Sequence, residues 1–150
     1  MKDIIDKIKK VKPLIVSKEA TFNQEVALLN QLSYEKMEAL GQLRSHQNKY
    51  MKGVDQINQE RQNGKFDRAN ILEPALDYVK QKWHESLRQV QKIEKRQEAQ
   101  RDKVFEAQRE LKSIEALRDR YEKELKIAAA LQEQKELDEM AQNMRRRDQE

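Results

Sequence analysis

Two heptad stripes, separated by a turn signal, constrain this chain more than any other feature. In the first half, apolar side chains recur at sevens as Ile8, Ile15, Phe22, Leu29, Leu43, Tyr50 and Ile57, with Lys36 alone interrupting. A companion stripe holds Ile4, Val11, Val26, Leu32, Ala39, Leu40 and Val54, and its register wanders because Lys18 and Glu25 occupy places expected to be apolar. In the second half the pattern is cleaner. Leu76, Trp83, Val90, Gln97, Val104, Leu111, Arg118 and Leu125 stand at sevens, with Val79, Ser86, Ile93, Gln100, Ala107, Ile114, Tyr121 and Ala128 three residues after each. This period keeps one narrow seam on one side of a helix, and it is a helical period, not that of a strand.

Composition says what the seams must do. With 39% charged and 37% apolar residues among 150, the chain is too polar to fill a rounded core. A thin fold that buries only its stripes remains. Between Met51 and Asn70 the pattern fails, and Asn63-Gly64 is a strong turn dipeptide. Each stripe finds the other at the highest effective concentration. The expected fold is therefore all-α, a long antiparallel two-helix coiled-coil hairpin. Its arms are of near-equal length, arm one over about 4–57 and arm two over about 71–144, with a loop end at about 58–70. A homodimeric rod, in which the break is only a stutter, is the alternative. Pro13 either closes a short separate helix or sits at a tolerated break. The second arm restarts at an Asn70 cap with Glu73 as its capping-box partner, or at Glu73 ahead of Pro74.

Several chemistries find no residues to support them. The chain has no Cys, and its two histidines, His46 and His84, form no ligand pair. Gly41, Gly53 and Gly64 are too far apart for a phosphate loop. Carboxylate pairs such as Glu133 and Glu136 belong to a solvated helix, with no pocket to tune them. No enzyme activity, cofactor or metal is expected. A net charge of +4 with few aromatics does not suit nucleic acid. No apolar run reaches the length of a membrane span, and residues 1–12 lack the apolar core of a signal peptide. A soluble, cytoplasmic protein is the expectation.

Distinctive residues gather at the two ends. Near the loop end, Leu43, His46 and Tyr50 approach the turn, and Leu72, Leu76, Val79, Trp83 and His84 leave it. Trp and Tyr are favoured anchors at interfaces, and they equally cap a coiled coil against fraying. At the open end, Lys2, Lys7, Lys9, Lys10 and Lys12 belong to one arm and Arg145, Arg146 and Arg147 to the other. An antiparallel hairpin is expected to bring these basic clusters together, forming a tip that suits an acidic socket.

The stretch His46-Gln47-Asn48-Lys49-Tyr50, the Asn63-Gly64 loop, Leu72-Glu73-x-x-Leu76 and the run Glu133 to Ala141 resemble the FliJ family of flagellar export proteins, which has counterpart stalk proteins in type III secretion. Two departures are His46, where the family pattern has an aromatic, and Pro13. The resemblance implies a non-enzymatic stalk whose paired termini enter the ring of a hexameric export ATPase. It implies a loop end that touches the cytoplasmic domain of the export gate, with export chaperones as further partners. Carried onto this sequence, the gate face is Leu43, His46, Tyr50, Leu72, Leu76, Val79 and Trp83. The ATPase end includes Lys9, Lys10, Leu137, Met140 and Arg145, and the basic cluster adds Arg146 and Arg147. Such a protein is a monomer on its own and cytoplasmic, held peripherally at the inner-membrane export apparatus. A coiled-coil chaperone or adaptor for client proteins is the alternative function.

Overall fold

In a computed structural model, which describes residues 1–149, the chain forms two helices, α1 (Lys2–Gln62) and α2 (Phe66–Gln149). No strand occurs among the described residues. Two compact units divide the chain: Glu25–Val104, which contains the turn, and Met1–Gln24 with Phe105–Glu150. In each unit a stretch of α1 pairs antiparallel with a stretch of α2. Each arm's seam is thus covered by the other arm, which is a hairpin and not a two-chain rod.

The turn follows from local chemistry. Gly64 has φ 77°, the left-handed conformation that a Cβ penalises. Its N–H donates to Arg61 O at 3.1 Å, and Lys65 N–H donates to Glu60 O at 2.8 Å. These two bonds close a Schellman motif and satisfy carbonyls that the end of α1 leaves free. Ala69 N–H then donates to Lys65 O at 3.2 Å, opening α2. Arg61 forms an ion pair with Glu73 across the turn.

Both arms run deeper into the expected loop segment than the sequence pattern indicated. The connection is Asn63 to Lys65, because the seam continues through Gly53, Ile57 and Glu60, and Ala69 is wholly buried. Gln59, Arg61 and Gln62 are good helix formers facing water, so loss of apolar period there does not mean loss of helix. Asn70 and Glu73 do not start α2. Glu73 serves the Arg61 pair instead. Neither proline breaks its helix. Pro13 and Pro74 are exposed, as are Lys9 and Asn70, whose carbonyls each proline deprives of a donor. Water can serve those carbonyls.

Burial along α1 is more regular than its sequence. Residues 4, 8, 11, 15, 18, 22, 25, 29, 32, 36, 39, 43, 46, 50, 53, 57 and 60 are all buried or half-buried. The register does not wander at Lys18 or Glu25, because each polar seam residue has a partner. Lys18 Nζ donates to Glu110 Oε2 at 2.8 Å, and Gln100 Nε2 donates to the Glu25 backbone oxygen at 2.9 Å. Lys36 Nζ lies 3.5 Å from Glu94 Oε1, and Gln97 Nε2 donates to Ser33 Oγ at 3.4 Å.

One close contact marks which residues face each other. A Cβ built on Gly53 would stand 2.6 Å from Leu76 Cδ1, so Leu76 fills the space where Gly53 has no side chain. Moving outward by equal steps along both helices sets Tyr50 against Val79, His46 against Trp83 and Ala39 against Val90. Ala39, Val90 and Ile93 form a buried cluster with Leu40 and Leu43 packed on it. In the other unit Val11, Ile15 and Ala107 are buried, and the seam of α2 ends at half-buried Ala128. From there to Gln149 every residue is exposed. The arms are therefore unequal, 61 residues against 84, where the sequence suggested near-equality.

The two helical glycines should respond in opposite directions. Gly41 has nothing within 4 Å of a built Cβ, so Gly41→Ala should stabilise by up to about 1 kcal/mol through helix propensity alone. Gly53→Leu should destabilise by about 1–3 kcal/mol by overpacking against Leu76. Urea midpoints at unchanged slope measure both.

Candidate protein-binding ends

The loop-end residues picked out by sequence lie together, but along the seam. Leu43, His46, Tyr50, Leu72, Leu76, Val79 and Trp83 are all half-buried. The Tyr50 and Trp83 rings pack at 5.3 Å between centroids, tilted by 34°. Trp83 also stacks with His84 at 5.5 Å. Helical spacing accounts for this. Trp83 and Val79 occupy successive seam places on α2, and Tyr50 occupies the matching place on α1. These side chains hold the helices together and present only part of their surface outward.

The exposed apolar groups of this unit's loop end were not singled out by sequence. Phe66, Ile71 and Tyr78 are 61%, 74% and 60% exposed. Lys82 Nζ sits 5.5 Å from the centre of the Tyr78 ring. A signal was available: Ile71, Ala75 and Tyr78 repeat at helical spacing outside the main stripe.

At the open end the two basic clusters do not meet. The seam pairs the first residues of α1 with the stretch of α2 near Leu125 and Ala128. Lys7 Nζ, for instance, lies 5.7 Å from the Tyr121 ring centre. Arg145 is 17 residues beyond Ala128, roughly 25 Å farther along the helix at 1.5 Å per residue. Lys9 and Lys10 are exposed on α1. Leu137 and Met140, each 60% exposed, stand with Arg145, Arg146 and Arg147 on the unpaired stretch of α2. Sequence anticipated one basic tip. The structure has a lysine-rich start of α1 and a separate helical extension of α2.

A family model for the flagellar FliJ protein matches residues 7–150. The chain belongs to the FliJ family. The match takes in α2 from its start and nearly all of α1, so it rests on both arms and the turn between them. FliJ membership makes this a flagellar export-related protein, in a family that is a non-enzymatic export component. No curated protein and no solved structure is significantly similar to it. Among the described residues, no helix is long and apolar enough to cross a membrane.

Seam placement of Trp83 gives a stability prediction. Trp83→Ala should destabilise the protein, by less than the about 3–5 kcal/mol of a fully buried aromatic because Trp83 is only half-buried. Trp83→Phe should leave the thermal midpoint nearly unchanged. Circular dichroism melts of the two variants check this.

Proposed function

We propose that this FliJ-family chain is a coupling stalk of a flagellar or type III secretion export apparatus. Its open end enters the ring of a hexameric export ATPase, and its loop end contacts the cytoplasmic domain of the export gate. Export chaperones bind it as further partners. It works in the cytoplasm, peripherally at the inner-membrane apparatus, and is a monomer when alone.

The observation that carries this reading is the unpaired extension of α2. Leu131, Leu137, Met140 and Met144 are 62%, 60%, 60% and 66% exposed on one helix, followed by Arg145, Arg146 and Arg147. This stretch packs on no other part of its own unit, and an apolar stripe left uncovered is best stabilised by a partner. A ring with an acidic inner lining supplies both apolar cover and charge complement. Lys9 and Lys10 add positive charge on the α1 side of the same end. At the loop end, Leu43, His46, Tyr50, Leu72, Leu76, Val79 and Trp83 set the shape that the gate meets.

Replacing Arg145, Arg146 and Arg147 with Glu should weaken binding to the ATPase and reduce its stimulation of ATP hydrolysis. Helicity should stay unchanged, since exposed charges contribute only about 0–1 kcal/mol to folding. The defect should be largest at low salt. Normal stimulation by the triple variant at low ionic strength would contradict insertion of this end.

A further inference from the structure

The loop end carries a second seam, with its own apolar places and no helix covering it. Arg68, Ile71, Ala75, Tyr78 and Lys82 follow one another on α2 at spacings of three and four, the period of a coiled-coil interface. All but Lys82 are exposed, and Ile71 at 74% is among the most exposed large apolar residues of the chain. Beside this stripe runs a shallow groove between the helices, made of two adjoining clefts of about 210 and 130 Å³. Gln56 and Leu72 line both clefts, which makes the groove continuous. Its floor is apolar, from Ile57, Leu72, Leu76 and Val79, with Gly53 in the lining on the α1 side. The groove is shallow and open along its length, not an enclosed cavity, and it suits side chains from a protein partner.

Charge on the rim defines that partner. Lys49 lines the groove from α1 and Arg68 from α2, and neither has an ion-pair partner among the described residues. Lys82, at the far end of the stripe, lies 3.5 Å from Glu85 and over the Tyr78 ring. Glu60 is the one acid lining these clefts, and its Oε2 is turned away from water without a hydrogen-bond partner. The rim is thus basic at Lys49 and Arg68, around an apolar strip one helix wide.

We infer that this groove and stripe dock an amphipathic helix from the loop-end partner, with acidic residues flanking its apolar face. The partner helix lies along α2, its large side chains over Ala75 and against Ile71 and Tyr78. Its carboxylates meet Lys49 and Arg68. This deepens the loop-end contact proposed above and rests on that reading, since the partner is the cytoplasmic domain of the export gate. It also moves the recognition surface. The half-buried seam residues shape the floor, and exposed Ile71, Tyr78 and Arg68 make the contact.

The test is binding of the full chain to the purified cytoplasmic domain of the export gate from the same organism, by calorimetry. Ile71→Glu should raise Kd at least about tenfold, as for an interface anchor. Arg68→Glu should raise it by about three- to tenfold at low salt, with the difference closing as salt screens the rim. Met37→Glu, at an equally exposed position of α1 away from the groove, should bind as the unsubstituted chain does. Circular dichroism should be unchanged in all three, because each replaced side chain is exposed. Gate binding that survives both Ile71→Glu and Arg68→Glu would overturn the groove while leaving the loop-end contact standing. Absence of binding by the unsubstituted chain would overturn the loop-end reading, and the groove with it.

Discussion

Burial of one narrow stripe on each helix, against the stripe of the other, is the interaction on which the rest of this chain depends. Its residues are too polar for a rounded core, and helix propensity alone leaves arms of this kind marginal in water. What stabilises them is apolar area removed along the seam, at about 25 cal/mol per Å². Among the described residues, no large side chain is fully buried. Stability is therefore spread over many half-buried layers, and no single layer dominates. The seam also decides position. Leu76 Cδ1 occupies the space beside Gly53, and that contact marks which residues face one another toward Tyr50 and Trp83.

Polar residues within the seam act on specificity. Lys18, Glu25, Lys36, Gln97 and Gln100 each weaken the apolar contact locally, yet each finds a partner across the hairpin. A parallel pair of two chains in register would set Lys18 against Lys18, Glu25 against Glu25 and Lys36 against Lys36. Like charges so placed repel, and their antiparallel partners would be lost. The same residues that make the stripe look irregular thus favour the fold over its main competitor. Gly64 completes the selection by making the tight turn inexpensive.

Much of this was legible in the sequence. Helical period, antiparallel pairing and the Asn63-Gly64 turn follow from residue type and spacing, and the FliJ resemblance rested on motifs that the family match covers. Three features were hidden for definable reasons. The seam through Gly53 and Glu60 was hard to read because neither residue is apolar; one serves as a hole and the other stands at the last layer. The lengths of the arms depend on register, which periodicity alone leaves free by whole heptads. Hence the lysines near Met1 were expected beside Arg145 to Arg147, although α2 continues about six turns past the last paired layer. The loop-end set Leu43 to Trp83 was legible as a cluster. Its half-burial was not, since a seam aromatic and an exposed anchor look the same in sequence.

Register is accordingly the central claim, and the absence of native cysteines lets it be tested cleanly. One cysteine is placed at Ala39 and a second at Trp83, Val90 or Gln97, which are successive heptad places on α2. The rate of intramolecular disulfide formation is then measured under mild oxidation, with mass checked on reduced and oxidised protein. Facing Cβ atoms approach disulfide range only for the correct layer. The account predicts rapid closure of the 39/90 pair within one chain and slow closure of the 39/83 and 39/97 pairs. Equal or faster closure at either neighbouring heptad, or disulfides formed only between chains, would contradict it.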